Sequence, residues 1–149
     1  MTKFYVNTGG SALNSGSTDV TANGGTATDY LYSGGVGTDV TTVITLVGCT
    51  DDLSVLPLSG AAQATINLAA STIANRKIFK ITAVDNVAKT VTVDQAPALT
   101  AGTSAWKIGG QFVWTAANIE AGLAAGDVVE IANSPAAASA DWLTARTAG

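Results

Sequence analysis

Residues 76–97, RKIFKITAVDNVAKTVTVDQAP, decide how this chain is read. Phe79, Ile81 and Ala83 alternate with Lys80 and Thr82, and Val91 and Val93 alternate with Thr90, Thr92 and Asp94. A period of two sends one set of side chains to a buried face and the other to solvent. Asp85 and Asn86 begin a turn between the runs, so the spacing predicts a β-hairpin with a loop of about four or five residues.

On the N-terminal side, residues 39–47 (DVTTVITLV) are β-branched and mostly apolar, which predicts one buried strand. The stretch CTDDLSVLPLSG follows and closes at Pro57 and Gly60. The next run, AAQATINLAAST, predicts a short helix at 61–64 that gives way to an extended piece at 65–68. On the C-terminal side the chain turns at Gly102 into a strand at 105–108, which Gly109 and Gly110 end. Thr115 then serves as an N-cap for AANIEAGLAA, with Ile119 and Leu123 on one helical face and Ala116 a turn earlier. Gly126 is the expected left-handed stop. A strand follows at 127–132, with Val128, Val129 and Ile131 apolar. Ser134 and Pro135 suit the opening of a second helix over 136–146, which carries Trp142 and Leu143.

Residues 7–38 hold half of the 16 glycines and almost no large apolar residue before Tyr30. Such a stretch buries too little apolar area to offset its own ordering entropy. The expected organisation is therefore a Gly/Thr-rich extended arm at 1–38 and a β-rich body at 39–149. The fold class is mainly β. The compact body is a short β-helix-like stack or a sandwich or barrel, with one or two short helices.

Composition narrows the function classes. Charged residues make up only 12% of the chain, about half the usual fraction, which suits an exterior covered by copies of itself or by a larger scaffold. Seven basic against eleven acidic residues, with no basic cluster, argue against nucleic acid as a partner. No apolar run approaches the ~20 residues that span a bilayer, and MTKFYVNTGG lacks the apolar stretch of a signal peptide. A single cysteine, Cys49, excludes an intrachain disulfide, and cytoplasmic synthesis is the simplest expectation. Cys49 itself is expected as a small buried hydrophobe. The chain has no histidine, which removes Ser-His-Asp and Cys-His pairs and most zinc sites.

The remaining candidates for chemistry are few. Asp51-Asp52 and the Asp127/Glu130 pair are the carboxylate groupings, and both are expected as solvated charges rather than catalytic pairs. The glycine-rich GGVG and NTGG lack the Lys-Ser/Thr of a phosphate-binding loop and are expected as turns. Aromatic residues could stack on a sugar, but widely spaced ones more often anchor a core or an interface. Trp106 and Trp114 are assigned to the core. Tyr5, Tyr30, Tyr32 and Trp142 are assigned to assembly contacts. No catalytic, cofactor or metal residue is expected.

Two stretches, FYVNTGGSALNSGST at 4–18 and FVWTAANIEAGLAAGDVVEI at 112–131, carry a family resemblance. Together they resemble the opening segment of right-handed parallel β-helix proteins of the pectate-lyase-like kind, many of them in phage virions. The resemblance implies a short helix capping a solenoid and a Gly-Asp turn into its first coil strand. The lyases' carboxylate cluster and its basic companions have no match here, and no coil repeats follow Ile131, so the family's activity does not carry over. The Ala/Thr/Gly/Val-rich, cysteine-poor chain as a whole also resembles phage capsid decoration, or cement, proteins. The expectation is a non-enzymatic virion protein on the capsid surface. Its partners would be a major capsid protein and further copies of itself, as a trimer. The alternative is the head-binding, connector or glycan-binding part of a tail fibre or tailspike.

Overall fold

The structure, a computed structural model, describes residues 2–7, 15–16, 32–73, 76–99, 102–110, 112–113 and 123–132. It is mainly β. Six strands close into a barrel: β2 (Tyr32–Val40), β3 (Val43–Val47), β4 (Thr65–Leu68), β5 (Ile78–Asp85), β6 (Thr90–Val93) and β7 (Thr103–Ile108). The order around the wall is β2-β3-β6-β5-β4-β7, and β7 returns to β2, every pair antiparallel. Of the architectures left open by the sequence, the chain adopts the barrel.

Alternation fills it. Ile44 and Leu46 of β3, Ile66 and Leu68 of β4, Phe79 and Ile81 of β5, Val91 and Val93 of β6, and Trp106 and Ile108 of β7 form one buried cluster. Leu53, Leu56, Ala64 and Leu99 complete it from the connections. A barrel this small is packed by its own side chains and leaves no central channel. Arg76, just before β5, is buried with its guanidinium over the Phe79 ring at 4.6 Å and bonded to Asp94 at 2.6 Å.

The expected hairpin is β5–β6, with residues 86–89 as its loop. Its inner face departs from strict alternation, because the register shifts between Ile81 and Ala83. This bulge, with two residues of β5 opposite one of β6, leaves Ala83 exposed and turns Val84 partly inward. The single strand expected at 39–47 is two. Val40 and Val43 are paired across a two-residue turn, in which Thr41 has φ of 59°. A β-branched run hides this turn, since neither Thr41 nor Thr42 is a usual turn residue.

The extended piece expected at 65–68 is β4, but 61–64 is not helical: Ala61 and Ala62 form a turn. Ala64 is drawn into strand-like contacts instead, its carbonyl accepting from the Ile81 N–H at 2.9 Å. Among the described residues the one helical element is the 3-10 turn η1 (Leu53–Val55), capped by Asp52. Of the helix expected at 116–125, Leu123 and Ala124 are irregular and Ala125 lies in a turn with Gly126, while the earlier part lies outside the described residues, as does the helix expected at 136–146. Gly126 does take the left-handed conformation, φ 89°.

In the chain, the barrel strands fall between β1 and β8 of a second, smaller sheet. Strand β1 (Lys3–Asn7) lies between β8 (Phe112–Val113) and β9 (Val128–Ala132), parallel to both. Parallel neighbours need long crossovers. The connection from β1 to β8 contains the whole barrel. The boundary expected at 38/39 falls inside β2, which pairs with β3 from Val36 to Val40.

Candidate functional site

Three places in the fold bring together groups that could act: the joint between the two sheets, one end of the barrel, and the wall around Trp106. At the joint, the Gly-Asp turn delivers Asp127 against the barrel just before β9. Its carboxylate accepts from the Thr2 N–H at 2.6 Å and the Ala124 N–H at 2.8 Å, and pairs with the Lys80 ammonium of β5. The Asp127 side chain is 2% exposed and that of Lys80 13%. Burial pushes the carboxyl upward. The Lys80 contact and the two backbone N–H bonds outweigh it and hold Asp127 below its ordinary value. Around this pair, the Lys3 N–H donates to Ala61 O at 2.8 Å, Thr2 Oγ1 bonds Gln63 Oε1 at 2.8 Å, and Gln63 Nε2 donates to Ile81 O at 3.0 Å. Among the described residues, Thr2, Ala124 and Lys80 all converge on the Asp127 carboxylate, so the arrangement ties the smaller sheet to β5 of the barrel. The sequence offered no sign of it, because Lys80 and Asp127 belong to separate local patterns.

At the barrel end, the connection after β3 and the β5–β6 loop are tied together. Lys89 Nζ donates to Asp51 O at 2.7 Å and Asn86 Oδ1 at 2.8 Å, and Asn86 Oδ1 also accepts from the Leu53 N–H at 2.9 Å. At this end Val47, Val55 and Val87 are 51%, 64% and 96% exposed. Beside them the Tyr32 hydroxyl donates to Asp52 O at 3.3 Å, and partial burial, with Asp51, Asp52 and Cys49 nearby, raises its pKa. Asp52, in turn, is an exposed cap. Its carboxylate accepts from the Ser54 hydroxyl at 2.6 Å and N–H at 3.0 Å, which lowers its pKa. Asp51-Asp52 is thus a turn.

In the barrel wall, Trp106 is 1% exposed and paired across β2–β7 with Gly34. A Cβ at Gly34 would come within 2.5 Å of Nε1 and Cε2 of the indole, so only glycine admits the ring here. Ser33, Gly34, Asn67, Ala69, Ala105, Trp106 and Lys107 line a cavity of about 270 Å³ at this point.

The assembly candidates are dispersed. Tyr5 is half-buried with the Lys3 ammonium 5.4 Å from its ring centre, and Tyr32 is half-buried at the barrel end. Tyr30, Trp114 and Trp142 lie outside the described residues. Trp106 is in the core, as assigned. Cys49 is not within a strand. It follows Gly48 beyond β3 and packs half-buried against the core, with Sγ 3.9 Å from Asp51 Oδ2. Among the described residues no three His, Cys, Asp or Glu side chains gather as metal ligands, and no helix is long and apolar enough to cross a membrane. Comparison with protein-family models, curated proteins and solved structures finds no match.

Proposed function

We propose that this chain is a non-enzymatic structural protein of a phage particle that works by docking, as a decoration protein that binds the outer capsid surface and stabilises the head. The observation that carries this reading is the apolar barrel end. Three exposed valines sit where Lys89 and Asn86 tie the connection after β3 to the β5–β6 loop. Rigid apolar surface is what a partner can cover at low entropic cost. Sparse charge over the whole chain acts in the same direction, and repeated weak contacts on a symmetric particle add to firm attachment. A major capsid protein and further copies of the chain, as a trimer, are the partners in this reading. Neither a nucleic acid nor a membrane has a place in it.

The test is a Val55→Lys/Val87→Lys double variant, which puts charge on the barrel end without touching the core. Wild-type chain should bind purified capsids and raise their melting temperature, and the variant should do neither while keeping its own fold. Equal occupancy by both proteins would refute the docking surface.

One observation favours a second form of the same reading. β1 and β9 are parallel and in register over five residue pairs, as successive rungs of a β-solenoid are. This supports a head-binding or connector segment of a tail fibre or tailspike. Binding to tail assemblies and not to capsids would select it.

A further inference from the structure

We infer that the exposed valines at the barrel end dock onto a protein surface whose apolar spot is ringed by lysine or arginine side chains, and not onto a second copy of this chain. The inference rests on the docking reading above and names the chemistry that this end meets. Val47 ends β3, Val55 ends η1 and Val87 lies in the β5–β6 loop, all three exposed. Carboxylates accompany them: Asp52 and Asp85 are exposed and Asp51 is half-buried. Asp85 accepts from the Val87 N–H at 2.9 Å and the Ala88 N–H at 2.8 Å, so the group that shapes the loop also sets a negative charge beside Val87. Asp52 does the same next to Val55, accepting from the Ser54 N–H at 3.0 Å.

Charge complementarity defines the partner. Residues 47–55 and 85–89 carry three aspartates and one lysine. That lysine, Lys89, turns its ammonium to Asp51 O and Asn86 Oδ1, both uncharged acceptors. Among the described residues the ion pairs are Arg76 with Asp94 and Lys80 with Asp127, so no cation there pairs with Asp51, Asp52 or Asp85. The negative field is felt by a neighbour: after partial burial, Asp51 and Asp52 are the causes that raise the Tyr32 pKa. An apolar centre with a charged rim is the ordinary anatomy of a protein interface, and the sign of the rim selects the partner. Acidic side chains repel the phosphates of nucleic acid and of anionic lipid. A two-fold contact between copies sets one patch against itself and brings like carboxylates face to face. A foreign protein surface with basic side chains around an apolar spot satisfies both parts of the patch.

The experiment titrates the full chain, followed by nitrogen-15 amide correlation spectroscopy, with two amphipathic helical peptides of equal length. One is built of leucine and lysine, the other of leucine and glutamate. The leucine/lysine peptide should give saturable shifts centred on the Val47, Val55 and Val87 amides that weaken as salt is raised, and the leucine/glutamate peptide should give none. An Asp51→Asn/Asp52→Asn/Asp85→Asn variant keeps the side-chain acceptors and should bind the leucine/lysine peptide about tenfold more weakly. Equal binding of both peptides, shifts centred away from the valines, or unchanged affinity in the asparagine variant overturns the inference. So does a shift of the valine amides with the chain's own concentration, which marks a second copy as the occupant. If the asparagine variant fails to fold, the comparison of the two peptides on the wild-type chain decides alone. Purified capsids separate this inference from the docking reading. Equal capsid occupancy by the asparagine variant and the wild type, with none by Val55→Lys/Val87→Lys, keeps the docking and overturns the basic partner. Selective binding of the leucine/lysine peptide without capsid binding supports the basic partner and refutes the capsid.

Discussion

A carboxylate with 2% of its surface in water stays ionised here because two backbone N–H groups and an ammonium face it. Replacing Asp127 with asparagine keeps the shape and removes the charge opposite Lys80. The cost should be about 2–3 kcal/mol by urea unfolding, under the full figure for a broken buried pair because Lys80 retains some solvent contact. Adding Lys80→Met should restore part of it, which a double-mutant cycle measures. The pH dependence has a definite sign. Since Asp127 has a lower pKa folded than unfolded, its contribution is whole above the ordinary aspartate value. It is lost as pH falls through the depressed folded value, and Asp127→Asn should flatten that acid limb. Gly34 makes the complementary case, where the missing atom matters. Gly34→Ala places a methyl 2.5 Å from the indole and should destabilise by about 3 kcal/mol through overpacking, seen as a lower thermal midpoint.

Among the elements, those governed by local pattern were legible and those governed by a partner were not. β5 and β6 could be read from alternation, and β4 and β7 from short apolar runs between turn residues. The division of 39–47 into β2 and β3 was not legible, because Thr41 adopts a left-handed conformation that its type disfavours. Barrel pairing on both sides imposes it: Asp39 and Val40 are held opposite Ile44 and Val43. Thr41→Gly should therefore stabilise the protein by about 0.5–1 kcal/mol, after the entropy that glycine adds to the unfolded chain. An unchanged or lower melting temperature would show that the turn carries no such strain. The bulge in β5 is likewise a tertiary product, since continuous alternation would have kept Ala83 on the inner face.

At the scale of the molecule, closure is decided by β2 meeting β7, which joins Tyr32 to Ile108 and Thr38 to Thr103. A dispensable arm at 1–38 would leave the body intact on removal. With β1 at the centre of one sheet and most of β2 in the wall of the other, deletion of 1–38 should instead abolish cooperative thermal unfolding. A sharp transition in the truncated chain would return those residues to the role of an arm. The candidate site was legible only in pieces. Trp106 could be placed in the core from its strand. That its indole nitrogen lacks a partner, and that Gly34 lies beneath it, depends on residues from opposite ends of the barrel segment.

The amino-acid sequence by itself determined that this protein is mainly β, that 76–97 folds back as a hairpin, that Gly126 turns the chain left-handedly, and that Trp106 is buried. These follow from side-chain periodicity and backbone sterics, which act over a few residues. Tertiary structure alone decided that the strands form a closed barrel inserted in the chain between two strands of a parallel sheet, that Lys80 answers Asp127, and that a cavity lies in the wall at Gly34 and Trp106. Each of these depends on strand register between distant segments, and register is fixed by the simultaneous packing of the whole wall.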